Sequence, residues 1–446
     1  MSRDGGQKAA PRGRWGLDVL GLLVLAGWLA GVGLGEAALV DPDEPRSALV
    51  ARLMVERGDW LAPHLPAVFH HDYPGDPLEG DLLAYWDKPP LFFWLEALAM
   101  TALGPTALAA RLPAALAQVA TVLLVYACGR FLGGRRAGLL AGVVAATAPQ
   151  LFVMGHVARM ETLLVALMTA MLLAVLRLVH DRPRSWGWVL VLYVSAGLAV
   201  LTKGPVAVVL PAVAVGATCL VSGRWGDLGR LRPLAGAAIV LLIAAPWYVY
   251  MHLRYPPGQG VGGAGFAYAY FVGQHLLRAT TEGFGHYEHV PGYLVGILML
   301  GFLPWSVFLP GACAQVGRAG WRERRDRPAV VLVLAWAVAV VGAFSLSTTQ
   351  LEHYVMPAVP AVAVLTGAYL ADRTRPEDRN LLFRIGLWVT LVSGVGAIVA
   401  MVAALVSEGL WRTAHVAPVV VTAAISVAGL VQLVRGRRLA AVGLAA

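Results

Sequence analysis

Four short clusters of charge stand apart in a chain that is otherwise apolar: Asp43, Glu44 and Arg46; Asp87 and Lys88; Arg159 and Glu161; and Lys203. Carboxylates and cations gathered in one place suit chemistry on a phosphate-linked substrate. A carboxylate can take the proton from an acceptor hydroxyl, while lysine or arginine neutralises a phosphate leaving group. For each residue alone the competing reading is packing and topology: a surface pair for Arg159 and Glu161, and a Lys88 stem snorkelling to a membrane interface. The readings part on whether clusters up to 160 residues apart in sequence share one face.

The elements that must position them are apolar helices. Of 446 residues, 58% are hydrophobic and 14% charged, against roughly a quarter charged in a soluble domain. Apolar runs near the length needed to cross ~30 Å of hydrocarbon recur throughout. They predict spans at about 17–35, 107–128, 137–155, 161–179, 186–202, 204–222, 234–253, 292–314, 329–346, 353–371, 385–406 and 416–434. The fold class is therefore all-α, a polytopic membrane protein with about twelve transmembrane helices. Cys128, Cys219 and Cys313 have no metal-ligand spacing and read as small apolar helix residues.

The net charge of +9 reflects topology rather than nucleic acid, which is not expected as a partner. Seven segments hold 25 of the 35 lysines and arginines, and these arginine-rich segments fall at alternate ends of all twelve spans. The positive-inside rule then puts both termini in the cytoplasm, with residues 1–16 as a cytoplasmic tail. The first apolar run is too long for a signal core and reads as a retained anchor. Two long loops fall outside, 36–106 and 254–291, and all four charge clusters lie on that face.

The first loop should hold two helices along the membrane surface. One opens at Asp43-Glu44-Pro45, acidic and proline-bearing as a helix start should be, and runs to about Arg57. The other begins at Pro89-Pro90 and continues through Leu91-Phe92-Phe93-Trp94-Leu95 to about Met100, too short to span and rich in aromatics. Phe69–Tyr85, polar and rich in Pro, Gly and Asp, reads as loop.

Asp43-Glu44-Pro45-Arg46 followed by Arg57-Gly58-Asp59-Trp60-Leu61-Ala62-Pro63 resembles the acidic motif opening the first external loop of GT-C glycosyltransferases. The branch is that of protein O-mannosyltransferases and the lipid A aminoarabinose transferases. Asp87-Lys88-Pro89-Pro90-Leu91 is similar to that family's [Glu/Asp]-Lys-Pro-Pro-Leu motif. Arg111-Leu112-Pro113, Ala158-Arg159-Met160-Glu161, Thr202-Lys203-Gly204-Pro205, Pro246-Trp247-Tyr248, Leu303-Pro304-Trp305 and His353-Tyr354-Val355-Met356-Pro357 follow in family order. No single motif is specific, but the ordered set, spanning roughly 17–371, is.

The resemblance implies inverting transfer of one sugar from a polyprenyl-phosphate carrier to a lipid, protein or glycan acceptor, at the external face of the cytoplasmic membrane. It places the base on Asp43, with Glu44 and Arg46 shaping the same site. Glu161 stands where the family has a second carboxylate, usually Asp. Lys88 and Lys203 would hold the carrier phosphate, Tyr354 would face it, and His275 and Arg278 resemble a His/Arg pair beside the carrier. A divalent ion between Asp87 and His275 is the one cofactor the resemblance allows.

Three departures stand out. Gln350 and Glu352 occupy the stretch where relatives often carry a lysine. The segment His70–Tyr85 is longer than usual, which reshapes the acceptor side. Residues 372–446 hold two spans and no soluble domain, so acceptor choice should rest on the external loops. A flippase for the lipid-linked sugar would carry polar, broken helices at mid-membrane, whereas these charges sit at the outer rim. A lipid-linked oligosaccharide ligase would place its large loop late in the chain. A catalytically silent partner would be expected to lose the Asp-Glu motif.

Overall fold

The computed structural model describes residues 12–373 apart from 40–42, 72–77, 181–184, 260–262, 281–289 and 323, together with Trp388 and Val392. The predicted spans at 385–406 and 416–434 lie outside the described residues.

Among the described residues, helices stand where the first ten apolar runs predict them. They are α1 (Arg12–Gly31), α4 (Ala107–Ala146), α5 (Pro149–Gly155), α6 (Met160–His180), α7 (Trp186–Lys203), α8 (Val206–Ser222), α10 (Pro233–Arg254), α13 (Tyr293–Gly301), α14 (Leu309–Arg322), α15 (Pro328–Ser345) and α16 (Val359–Arg373). α4 is itself a hairpin: the predicted span 107–128 is its first limb, and 137–155 is its second limb followed by α5. Its limbs meet at Gly133 and Gly134, where Gly134 takes a φ of +79° that a residue with a Cβ resists. The limbs touch closely: a Cβ on Gly129 would come within 2.8 Å of the Ala141 methyl.

One predicted span departs from its expectation. The run 292–314 is broken after α13, and the chain bends by 113° before entering α14. Pro304 and the short 3₁₀ turn Trp305–Phe308 stand at the break, where proline removes a helix hydrogen bond.

Core packing follows the apolar surfaces. α16 lies along α4, α6 along α4 and α7, α8 along α15, and α10 along α7. At one end, the arginine-bearing connections join each other and the bundle. Arg135 in the α4 hairpin bonds Asp18 of α1 at 2.6 and 2.7 Å, Arg230 donates to the Val179 carbonyl, and Arg224 donates to the Arg325 carbonyl. α9 (Leu228–Leu231) is the short turn carrying Arg230.

The first long loop folds as α2 (Asp43–Arg57), a 3₁₀ turn and three short strands, then α3 (Leu91–Leu103). α2 and α3 agree with the two expected surface helices and pack on each other. The described residues of Phe69–Tyr85 are more ordered than a loop. β1 (His64–Pro66), β2 (Leu78–Glu79) and β3 (Leu82–Ala84) form an antiparallel sheet in the order β1-β3-β2, with Leu65 opposite Leu83. Leu65, Leu83 and Phe93 are buried together against α2 and α3, which is what holds so short a sheet. In the second loop, α11 (Gly265–Tyr268), a π-helical stretch Ala269–Leu277 and α12 (Arg278–Thr280) run continuously.

Candidate active site

The site assembles at the end of the bundle opposite the arginine-bearing connections, where α2 begins, α6 begins, α7 ends and α16 is entered. Asp43 and Glu44 open α2, where acids favour the positive end of the helix dipole. Their environments then diverge.

Glu44 is 1% exposed. Its Oε1 accepts from Arg111 Nε at 2.7 Å and from the Ala158 amide at 2.8 Å, and its Oε2 accepts from Arg111 Nη2 at 3.0 Å. Arg111 spends its remaining donors on the carbonyls of Leu34, Ala37 and Ala38. The structure thus places Glu44, expected at the catalytic centre, in a saturated buried joint between four stretches of chain.

Asp43 leaves half of its side chain, 52%, in contact with solvent. Arg46 Nη1 lies 3.3 Å from Oδ1, and Arg159 donates to Oδ2. Arg46 also lies over the Phe69 ring, the contact that folds the 3₁₀ turn Ala67–His71 onto the start of α2.

The residues expected to face a carrier gather around Glu161, in the first turn of α6. Lys203, the last residue of α7, bonds its Oε1 at 2.8 Å, and His353 Nε2 approaches the same oxygen at 3.4 Å. Arg159 Nε lies 3.9 Å from Oε2. Asp43, Arg159, Glu161 and Lys203 therefore form one unbroken line of alternating charge. Beneath it is a narrow cleft walled by Leu164, Met168, Leu210, Phe344 and Met356, with Glu161, Lys203, His353 and Tyr354 also lining it. The Tyr354 ring faces Lys203 Nζ at 5.2 Å.

Beside this line stands a second ionic group. Lys88 bonds Asp87 at 2.6 Å, Tyr85 donates to the same carboxylate, and Arg278 lies 3.8 Å from its other oxygen. Burial works against a charge on Asp87, yet Lys88 and Arg278 together hold its carboxyl below the usual carboxylate range. Thr349 and Thr348 donate to the Arg278 carbonyl at 2.9 and 3.3 Å, fixing the end of the second loop here. Gln350, where relatives often have lysine, turns away and donates to the Ser345 and Ser347 carbonyls.

Gly204 lets the second loop descend onto Lys203. It has a φ of +90°, and a Cβ there would meet the Tyr270 hydroxyl at 2.5 Å and His275 Nε2 at 2.6 Å. Gly204→Ala is expected to lift this loop and cut transfer about tenfold or more, in line with the effect of small misplacements at a reacting centre. Protease accessibility of residues 263–280 should rise in parallel.

Several motif residues turn out to be pins between elements. Asp59 accepts from the Leu61 and Ala62 amides, making a tight turn. Trp247 donates to the Leu61 carbonyl, and Trp305 donates to Thr147. Sequence reasoning missed Arg111 as Glu44's partner and passed over Glu96 altogether. Glu96 is wholly buried on α3, which is too short to span, and accepts from Ser47 of α2 at 2.7 Å. Burial pushes its carboxyl well above the ordinary glutamate range, the Ser47 bond opposes this, and the charge of Glu44 adds to the rise. A raised folded-state value contributes stability that is complete below the unfolded value near 4.3 and erodes as pH climbs toward the folded value. The thermal unfolding temperature in detergent should therefore fall as pH rises above about 4. Glu96→Gln should flatten that dependence.

The comparisons bear on the whole chain. A family profile described as dolichyl-phosphate-mannose-protein mannosyltransferase matches residues 87–250. An undecaprenyl phosphate-alpha-4-amino-4-deoxy-L-arabinose arabinosyl transferase of Pectobacterium carotovorum is 29% identical over 396 residues, 87% of this chain. The transferase of the same name from Pseudomonas aeruginosa is 30% identical over 358 residues, 79% of this chain. The crystal structure of ArnT from Cupriavidus metallidurans bound to undecaprenyl phosphate superposes with a TM-score of 0.73 at 25% identity, covering 95% of this chain and 72% of that one. The chain belongs to the ArnT-like GT-C glycosyltransferases.

Within the GT-C fold the likeness extends to the Archaeoglobus fulgidus oligosaccharyltransferase, with a TM-score of 0.58 at 15% identity, covering 92% of this chain and 56% of that one. That likeness is one of fold. The chain spans 65% of the Pectobacterium relative's length and 60% of the Pseudomonas one's. In this ArnT-like chain the residues do not fit an ion between Asp87 and His275. The Asp87 carboxylate is already occupied by two cations, Lys88 and Arg278, and by the Tyr85 hydroxyl. Among the described residues no three His, Cys, Asp or Glu side chains converge as a metal ion would require.

Proposed function

We propose that this protein moves a single sugar from a polyprenyl-phosphate donor, with undecaprenyl phosphate as carrier, to an acceptor at the outer face of the cytoplasmic membrane. Both termini are then cytoplasmic. The observation that carries the reading is the line Asp43–Arg159–Glu161–Lys203, which joins a half-exposed carboxylate to a cation at the head of an apolar cleft.

The polyprenyl chain lies against the apolar walls of that cleft, and its phosphate meets Lys203, Lys88 and Arg278. The acceptor hydroxyl approaches Asp43 from outside, and its oxygen attacks the anomeric carbon on the face opposite the phosphate. The carbon–oxygen bond to phosphate breaks as the new one forms, so configuration inverts. Asp43 takes the hydroxyl proton, and the cations take up the charge on the departing phosphate. Lysines near that charge do most where water is thinned out, as beside the second loop, whose Tyr270 and His275 rest on Gly204 next to Lys203.

The test uses purified protein in detergent with radiolabelled undecaprenyl-phosphate sugars and a membrane extract as acceptor pool. Label should pass to a lipid, protein or glycan. Lys203→Ala and Lys88→Ala should each weaken donor use by about tenfold to a hundredfold, as expected for removal of a charge-assisted phosphate contact. Label that is bound but never transferred would make the protein a carrier or a silent partner.

A further inference from the structure

His353 has no role in the chemistry above, although it sits at the centre of the residues that perform it. It enters from the 3₁₀ turn Glu352–Ala358 that leads into α16, is 6% exposed, and helps to line the cleft. Its Nδ1 has no partner, so its polar reach is spent through Nε2, 3.4 Å from Glu161 Oε1. A side chain kept only for packing at such a place would be better apolar, because an unpartnered buried nitrogen costs stability. Its neighbours along the turn, Val355, Met356 and Pro357, are buried and apolar.

The geometry around Glu161 shows what the imidazole adds. Lys203 reaches Oε1 from the end of α7, and Arg159 approaches Oε2 from the connection before α6. Without a third group the carboxylate is free to turn toward either cation, and Lys203 would follow it or be released. His353 approaches the oxygen that Lys203 uses, from a third element, with its ring edge-on to that of Tyr354.

We propose that His353 is a positioning residue that holds the Glu161 carboxylate so that Lys203 is presented to the carrier phosphate. The inference rests on the carrier reading given above and assigns it a residue that acts through Glu161 rather than on the substrate.

The experiment titrates undecaprenyl phosphate into the detergent-purified full chain and reads tryptophan fluorescence, with thermal unfolding measured alongside. His353→Leu should weaken binding about tenfold, the effect expected when one charge-assisted contact is misaligned. His353→Gln can place an amide N–H near the position of Nε2, so it should restore most of that loss. In a Glu161→Gln background His353→Leu should add nothing, because its route is already cut. Acceptor KM should stay unchanged in His353→Leu while donor KM rises, a split that general loosening of the turn would not produce.

Equal binding by the unaltered protein and His353→Leu overturns this inference and leaves the carrier reading standing. So does a loss that is the same size in the Glu161→Gln background, or one that His353→Gln fails to restore at equal thermal stability. Absence of binding by the unaltered protein overturns the carrier reading, and this inference with it.

Discussion

Replacing Asp43 by Asn is expected to lower transfer by about 10²- to 10⁴-fold, the range that a positioned general base contributes, while undecaprenyl phosphate still binds. Asn has almost the shape of Asp and keeps one oxygen, which can accept from one of the two arginines that now use separate carboxylate oxygens, so the start of α2 should stay largely in place. What it loses is the capacity to take a proton. Asp43 is the choice over Glu161 because of access: half of its side chain meets solvent, whereas Glu161 is 8% exposed and surrounded by Lys203, His353 and Arg159. Steady-state transfer and donor titration on the same preparation check the two halves of the claim. Transfer that survives in Asp43→Asn would move the base elsewhere.

Arg111→Met is expected to be the most damaging single change to the fold among the residues near the site. It would leave Glu44 charged and buried without its guanidinium, and it would strip donors from the carbonyls of Leu34, Ala37 and Ala38. Breaking one side of a buried pair costs about 3–5 kcal/mol, a large part of a typical folding free energy of about 5–15 kcal/mol. Membrane yield and thermal unfolding in detergent should both fall steeply. Glu44→Gln gives the contrast: it keeps an acceptor for Ala158 and for Arg111, and loses the charge. Its cost should be smaller, and transfer per folded molecule should stay within a few-fold of the unaltered protein. A catalytic Glu44 would instead lose activity in folded protein.

The spans were legible because twenty apolar residues leave little choice of environment, and because arginines mark alternate ends. The limits of α2 were legible from Asp43, Glu44 and Pro45. The strands at 64–66, 78–79 and 82–84 were not, since two or three residues carry no measurable alternation, and their stability comes from α2 and α3. The break in 292–314 had a local cue in Pro304, but an apolar run long enough to span outweighed it. The clusters that share a site could be gathered by topology and by family order. The division of labour within them could not. Asp43 and Glu44 are neighbours of the same chemical type, and only the arrival of Arg111, 67 residues away, separates an accessible carboxylate from a structural one. Glu96 was hidden for a similar reason: one acid in an aromatic helix reads as surface until Ser47 is seen against it.

The joint around Arg111 also bears on how the protein is made. Its parts lie at residues 34–38, 44, 111 and 158, and a ribosome delivers them in that order. Until Arg111 is in place, Glu44 is better left in water than buried, because an unpaired buried carboxylate is strongly disfavoured. Until the connection before α6 has been threaded, the Ala158 amide is missing as well. α2 can therefore dock only after the α4 hairpin and α5 have been inserted. Asp43, carried at the start of α2, takes up its position late in biogenesis, when the helices around it are already paired. A nascent chain stalled before residue 158 should keep the first external loop open to protease, and one released beyond it should not.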